Sequence, residues 1–353
     1  MPSLPALLTR SIHAAAHVSP ALAGDLAYRL FFTTSPRMPV READAPTLDD
    51  ARRGTLHVRG IEVPTYEWGG GPHAVLLLHG WRGRASQFAP LVRELVAEGF
   101  RVIAFDAPAH GASGGGRTDV RDWVDAAEQL HAAHGPFAAI VGHSFGAFAA
   151  LTVARSTVPT GAVAAIAGAA GPDAFLAEFA REFRLDPATT ARLTERFHRR
   201  LGLDRATVSA RYDAARHPLP TETALLVVHD RDDRRMPDSD SLRLHEAHGE
   251  RSRLLRTEGL GHTRVLSADA TLDAVVALVT GGLEAVDALG SIAPDETQAR
   301  RRTPRRTTGR TAAATTTTAA TSTATTKPPV TRTAAMVPNT AIPSPPPSAN
   351  PIS

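Results

Sequence analysis

The chain has 353 residues, 42% of them apolar, 21% charged and none of them cysteine, which excludes disulfides, zinc–thiolate sites and a cysteine nucleophile. Its formal charge of +3 is unevenly spread: residues 291–353 hold eight Arg and Lys against two Asp and Glu, so residues 1–290 are mildly acidic, unlike a nucleic-acid-binding domain. No apolar run approaches the roughly 18 residues that a membrane-spanning helix needs.

In residues 1–50, Arg10 precedes a fairly apolar stretch, and Ala21-Leu22-Ala23 has the small-residue look of a leader-cleavage site. His13 and His17 interrupt the apolar centre and Pro20 follows, so one or two amphipathic helices packed on the body of a cytoplasmic protein are expected instead. Residues 51–290 then read as one α/β domain. Alternation over 54–68 around Arg59-Gly60 predicts a β-hairpin. Ala74 to Leu78 is a continuous apolar run, as in a strand buried on both faces of a parallel sheet. Helical spacing over 86–98, a strand at 101–106, a Gly-rich loop to Gly116 and a helix over 119–133 follow. Strands at 137–141, 162–166, 224–228 and 252–255, a helix at 145–155 and a closing helix at 270–288 complete the pattern. Strands alternating with helices predict a mostly parallel sheet covered on both faces. Residues 172–220 break the rhythm with helix-like, Arg-, Phe- and Leu-rich sequence and are expected to form a helical insertion above the sheet edge where ligands bind. From residue 291 the composition falls to Thr, Ala, Pro and Arg, which predicts a disordered tail. Its Arg300 to Arg306 run suits an anionic surface or nucleic acid, although a solvated extension is the simpler reading.

Gly142-His143-Ser144-Phe145-Gly146 is a G-x-S-x-G pattern between a predicted strand and a predicted helix. Such a turn presents the serine hydroxyl, and the helix that follows aims N–H groups at the reacting oxygen. The His79-Gly80-Trp81 turn after the first buried strand brings a second donor. The N–H groups of Trp81 and Phe145 are the candidate oxyanion hole. A serine nucleophile needs a base and an orienting acid. Among 15 histidines, His262 stands out in the Gly-rich turn Gly259 to His262 after the last predicted strand. His245 and His248 fall on a helix expected to be exposed, and His143 is expected to point away from Ser144. The acid belongs between serine and histidine in chain order, where Asp230, Asp232 and Asp233 compete, Asp233 ahead of Asp232.

At these residues the sequence resembles the α/β-hydrolase superfamily, over roughly residues 55–285. The patterns that carry the resemblance occur in the family's order: the His79-Gly80 turn, the Asp106 to Ser113 loop, the Gly142 to Gly146 elbow, and the acid loop followed by Gly261-His262. The Asp106 loop is similar to D-x-P-G-x-G-x-S with Ala109 at the usual glycine. The acid loop is similar to H-G-x-x-D-x-x-V-P with Asp230 at the usual glycine, and this match places the acid at Asp233. The resemblance implies an α/β-hydrolase fold with a helical cap at 172–220. It also implies a Ser144–His262–Asp233 triad, and an oxyanion hole at the backbone of Trp81 and Phe145, with no metal or organic cofactor. A serine at the elbow implies acyl transfer through an acyl-enzyme, in contrast to the aspartate of dehalogenases and epoxide hydrolases. The expected activity is hydrolysis of a small to medium apolar carboxylic ester, with Phe175, Phe179, Phe183 and Phe197 of the cap walling the pocket or packing the cap onto the body. Thioesterase, lysophospholipase, aminopeptidase and acyltransferase activities share the machinery, and a non-catalytic binding module is the rival from another class.

Overall fold

The computed structural model describes residues 4–290. The expectation of a disordered tail at 291–353 lies outside the described residues. In chain order the elements are α1 (Leu4–Val18), α2 (Pro20–Phe31), α3 (Ala45–Asp49), β1 (Arg52–Val58), β2 (Ile61–Trp68), β3 (Ala74–Leu78), α4 (Ala89–Ala97), β4 (Arg101–Phe105), α5 (Val120–His134), β5 (Phe137–His143), α6 (Phe145–Val153) and β6 (Thr160–Ile166). Then come α7 (Pro172–Glu182), α8 (Pro187–Leu201), α9 (Arg205–Tyr212), β7 (Ala224–Asp230), α10 (Ser239–His248), β8 (Ser252–Thr257), α11 (Gly261–Arg264) and α12 (Asp269–Ala288).

The eight strands form one sheet in the order β1-β2-β4-β3-β5-β6-β7-β8. The β1–β2 hairpin and its junction with β4 are antiparallel, and every pairing from β4 to β8 is parallel. The apolar runs are explained by two covered faces. Leu76, Leu78, Ile103, Ile140 and Val227 point into a core shared with α5 and α6. Val75, Leu77, Val102, Val141 and Val228 point into the other, shared with α4 and α12. The chain leaves β3 for β4 on one side and returns to β5 on the other. A crevice opens at such a reversal, beyond the carboxyl ends of the strands.

α7 to α9 occupy the insertion between β6 and β7. On α8, Leu193, Phe197 and Leu201 recur every four residues and bury one stripe of the helix. Asp186 caps its first N–H groups and Gly202 ends it in the left-handed region. α2 lies directly against α8: a Cβ added at Gly24 would sit 2.4 Å from Cβ of Arg192.

Two local expectations change. The helix expected over 86–98 begins as a 3-10 turn at Ala85–Phe88, with Pro90 opening α4. His248, expected on an exposed helix, is buried because the chain returning from the cap crosses it. Its ring donates from Nδ1 to the Leu244 carbonyl (2.7 Å) and accepts at Nε2 from the Leu219 N–H (3.0 Å). Among the described residues no single helix is long and apolar enough to cross a membrane.

Candidate active site

Ser144 lies between β5 and α6 with φ 57° and ψ −121°, a left-handed conformation that a side chain rarely adopts. The flanking glycines are sterically required. A Cβ at Gly142 would lie 2.1 Å from the Gly146 carbonyl oxygen, and one at Gly146 would lie 1.9 Å from that of Leu78. The turn therefore closes tightly onto β3 and lifts the serine out of the sheet. Ser144 N–H is tied to the Ile166 carbonyl at 2.8 Å, which fixes the turn against β6.

The structure brings Ser144, His262 and Asp233 together from β5, α11 and the loop after β7. The Ser144 hydroxyl lies 2.9 Å from His262 Nε2, and His262 Nδ1 lies 2.7 Å from Asp233 Oδ2. With Nδ1–H donating to the carboxylate, Nε2 is left as the acceptor for the hydroxyl proton. Asp233 Oδ1 accepts from the N–H groups of Arg235 (2.8 Å) and Met236 (3.0 Å), which holds the carboxylate in its turn. Burial pushes the Asp233 carboxyl up. The hydrogen bonds from His229, His262 and the Met236 N–H outweigh that and hold it well below the usual carboxylate range.

Asp232 and Asp230 do not reach the His262 ring; they hold the loop that carries it. Asp232 accepts from the Gly259 N–H at 2.9 Å. Asp230, where the family pattern has glycine, accepts from the N–H groups of Gly261 (2.8 Å) and Leu260 (3.0 Å), the Thr257 hydroxyl (2.8 Å) and the Asp232 N–H (3.0 Å). Burial raises its pKa, and these hydrogen bonds outweigh burial and lower it.

Gly80 runs against Ser144: a Cβ there would meet its Cβ at 3.0 Å and its Oγ at 3.5 Å. The next residue, Trp81, has a backbone N–H with no backbone acceptor among the described residues. Phe145 opens α6, where the first N–H groups have no intrahelical acceptor. The two candidate oxyanion donors thus flank the serine from the β3 turn and from the elbow. The β3 turn is braced by His79, whose Nδ1–H donates to the Gly80 carbonyl (2.8 Å) while Nε2 accepts from the Ala107 N–H (2.9 Å). Burial pushes the His79 pKa down to about 4, so the ring is a neutral brace. Asp106 completes the support by accepting from the Ala85 (2.7 Å) and Ala112 (2.8 Å) N–H groups. Ala109, at the family's glycine position, keeps the glycine-like conformation with φ 66°.

Ser144 and His262 open into a cavity of about 330 Å³ with largely apolar walls that include Phe145, Phe148, Phe175, Phe179 and Phe197. Phe183, the fourth cap phenylalanine singled out in the sequence, also packs against α1 and α2. Sequence reasoning missed the N-terminal contribution. Leu30, Phe31, Phe32 and Met38 line the same cavity. Phe31 meets Phe179 edge-on at 5.3 Å between ring centroids, and Phe32 stacks on Phe197 at 6.3 Å. The clue available in the sequence was a pair of adjacent phenylalanines closing an amphipathic helix, which names no partner.

A model of the alpha/beta hydrolase family matches residues 75–278, more than half of the chain. No curated protein matches the sequence. Among solved structures, an esterase from Pyrococcus furiosus is similar over 70% of this chain and 95% of its own, with 18% identity and a TM-score of 0.51. Alpha/beta hydrolase domain-containing protein 10 from mouse is similar over 68% of this chain and 100% of its own, with 16% identity and a TM-score of 0.52. At such identities the likeness is one of fold, which these neighbours share with this protein. With the family model spanning the sheet from β3 to α12, the chain belongs to the alpha/beta hydrolase family.

Proposed function

We propose that the protein is a serine hydrolase that cleaves small to medium apolar carboxylic esters through an acyl-enzyme on Ser144. The observation that carries this reading is the continuous hydrogen-bonded relay Ser144–His262–Asp233 at the edge of a largely apolar cavity. Ser144 Oγ attacks the ester carbonyl carbon as His262 Nε2 takes its proton. The carbonyl π electrons move to oxygen, and the N–H groups of Trp81 and Phe145 stabilise that charge. On collapse, His262 returns the proton to the departing alkoxide and the acyl group stays on Ser144. Water then gives a proton to His262 as its oxygen attacks the acyl carbon, and the proton returns to Ser144 as the carboxylic acid leaves. Asp233 keeps the imidazole in the required tautomer and balances the imidazolium. The apolar walls favour the acyl part of the ester, since burying a medium-sized apolar side chain contributes about 1.5–3 kcal/mol. An esterase among the structural neighbours is in keeping with this choice.

The first test is labelling with a fluorophosphonate, mapped by mass spectrometry, alongside a panel of ester and thioester substrates of graded acyl length. Labelling is expected at Ser144, absent in Ser144→Ala and slowed at least ~10³-fold in His262→Ala. A folded protein that neither labels nor turns over any substrate overturns the proposal and leaves a binding role for the cavity. Faster cleavage of thioesters than of matched esters would replace the ester assignment while keeping the triad.

A further inference from the structure

The base of the relay stands on α11, a helix of four residues in a glycine-rich loop, Gly261–Arg264. So short a helix has almost no internal support, because its terminal N–H and carbonyl groups have no partners within it. A catalytic imidazole must nevertheless be held to a fraction of an ångström. Besides Asp232 at Gly259, two side chains outside the triad take up the backbone immediately on either side of it. Asp230 binds the N–H groups of Leu260 and Gly261, just before His262. His143, the residue preceding the nucleophile, lies 2.8 Å through its Nε2 from the backbone carbonyl of His262 itself.

The second contact is chemically determined. A carbonyl oxygen only accepts, so His143 Nε2 carries the proton. Its Nδ1 is then an acceptor, and the Gln87 side-chain amide donates to it at 3.1 Å. One neutral tautomer satisfies both bonds. His143 is 6% exposed, and burial together with neighbouring His262 pushes its pKa down to about 3, so the ring is neutral near pH 7 and the two hydrogen bonds choose its tautomer. The two rings are 5.2 Å apart between centroids, and neither nitrogen of His143 bonds to Ser144. The elbow that presents the nucleophile therefore also grips the loop that presents the base.

We infer that His143 and Asp230 are positioning residues that bracket His262 from both sides and set its distance from Ser144. This rests on the triad reading above. The bracket explains why the acid loop of this chain carries a buried aspartate at a glycine position: its carboxylate, 0% exposed, accepts from the end of β8 and the histidine loop as well as from its own turn. It also gives the x of this G-x-S-x-G elbow a task, since its ring donor meets the His262 carbonyl.

The test is epistasis, read as the maximal rate of Ser144 labelling by a fluorophosphonate and the probe concentration at half-maximal rate. His143→Leu keeps much of the ring's volume and removes the donor. Asp230→Asn keeps the shape and removes the second acceptor oxygen. Each is expected to lower the maximal rate by about 10²-fold, the effect of a displacement near 1 Å, with the half-saturating concentration unchanged. His143→Gln, which restores a donor at similar reach, is expected to recover most of the rate. In a His262→Ala background, where the base is gone, His143→Leu and Asp230→Asn are expected to change nothing further. Melting temperatures identify a variant that fails to fold, and the other variant then carries the test. A wild-type rate in either single variant, a His143→Gln as slow as His143→Leu, or further slowing in the His262→Ala background overturns the inference. An unlabelled wild-type protein instead overturns the triad reading on which it rests.

Discussion

The two oxygens of Asp233 have separate duties: Oδ1 closes the turn at Arg235 and Met236, and Oδ2 holds His262. An Asn at this position keeps the first duty if its amide oxygen faces the turn. Its NH2 group then faces His262 Nδ1 and makes it an acceptor, which moves the imidazole proton to Nε2 and removes the base. Asp233→Asn is expected to lower the hydrolysis rate by about 10⁴-fold, the cost seen when a serine-protease triad loses its tautomer control. The same substitution also tests a pH effect. The folded carboxyl titrates below its ordinary value of 3.8, so its ionised form contributes stability above that pH, and the contribution is lost as pH falls toward the folded value. Thermal melts below about pH 4 should therefore fall less steeply in the variant than in the wild type.

The N-terminal helices join the α7–α9 insertion to the turn after β3. α2 packs on α8, and the segment that follows straps the β3 turn. The Thr33 carbonyl accepts from Trp81 Nε1 (3.0 Å) and Arg82 Nε (3.2 Å), and the Met38 N–H donates to the Arg82 carbonyl (2.8 Å). Arg37 reaches the carbonyls of Gly111, Ser113 and Gly115 on the Asp106 loop. Because a Cβ at Gly24 would collide with Arg192 of α8, Gly24→Val must push the helices apart, at a cost of about 1–3 kcal/mol. Phe31 and Phe32 end the same helix, so the displacement should reach the cavity wall. The variant is expected to melt lower and to show a higher KM for long-chain than for acetyl esters. An unchanged chain-length profile would separate α2 from the pocket.

Four buried histidines, His248 among them, are expected to make the stability of the fold sensitive to mild acid. Burial pushes His79 down to about 4 and His110 to about 3, with neighbouring His79 adding to the shift at His110; burial and His262 push His143 to about 3. Unfolded histidines titrate near 6.5, so between about pH 6.5 and 4 the unfolded chain binds protons that the folded chain refuses. The stability contributed by their neutral forms is complete above that window and is lost as pH falls through it. Melting temperature is expected to decline from pH 7 to pH 4, and His110→Gln should reduce the decline. A melt that is flat over this range in the wild type would contradict the neutral, buried state of these rings.

The fold was legible because its signals are local. Apolar runs such as Ala74 to Leu78 mark strands covered on both faces, and Gly142 and Gly146 mark a turn that no Cβ fits. Chain order and loop chemistry singled out Ser144, His262 and the aspartates after β7 for the same reason. What they left open was the division of labour at Asp230, Asp232 and Asp233. The family pattern assigned the acid to Asp233, but residues one apart in a loop differ in where they point, and only the packed loop shows Asp233 at the imidazole and Asp230 on the backbone behind it. The same holds for His143, whose partners lie 56 and 119 residues away, and for the strap that brings Thr33 to Trp81 across 48 residues. Amphipathic spacing tells a helix which face to bury, and residue type tells a histidine that it needs partners. Which partner receives each is decided by the packing of segments distant in sequence, which no periodicity records.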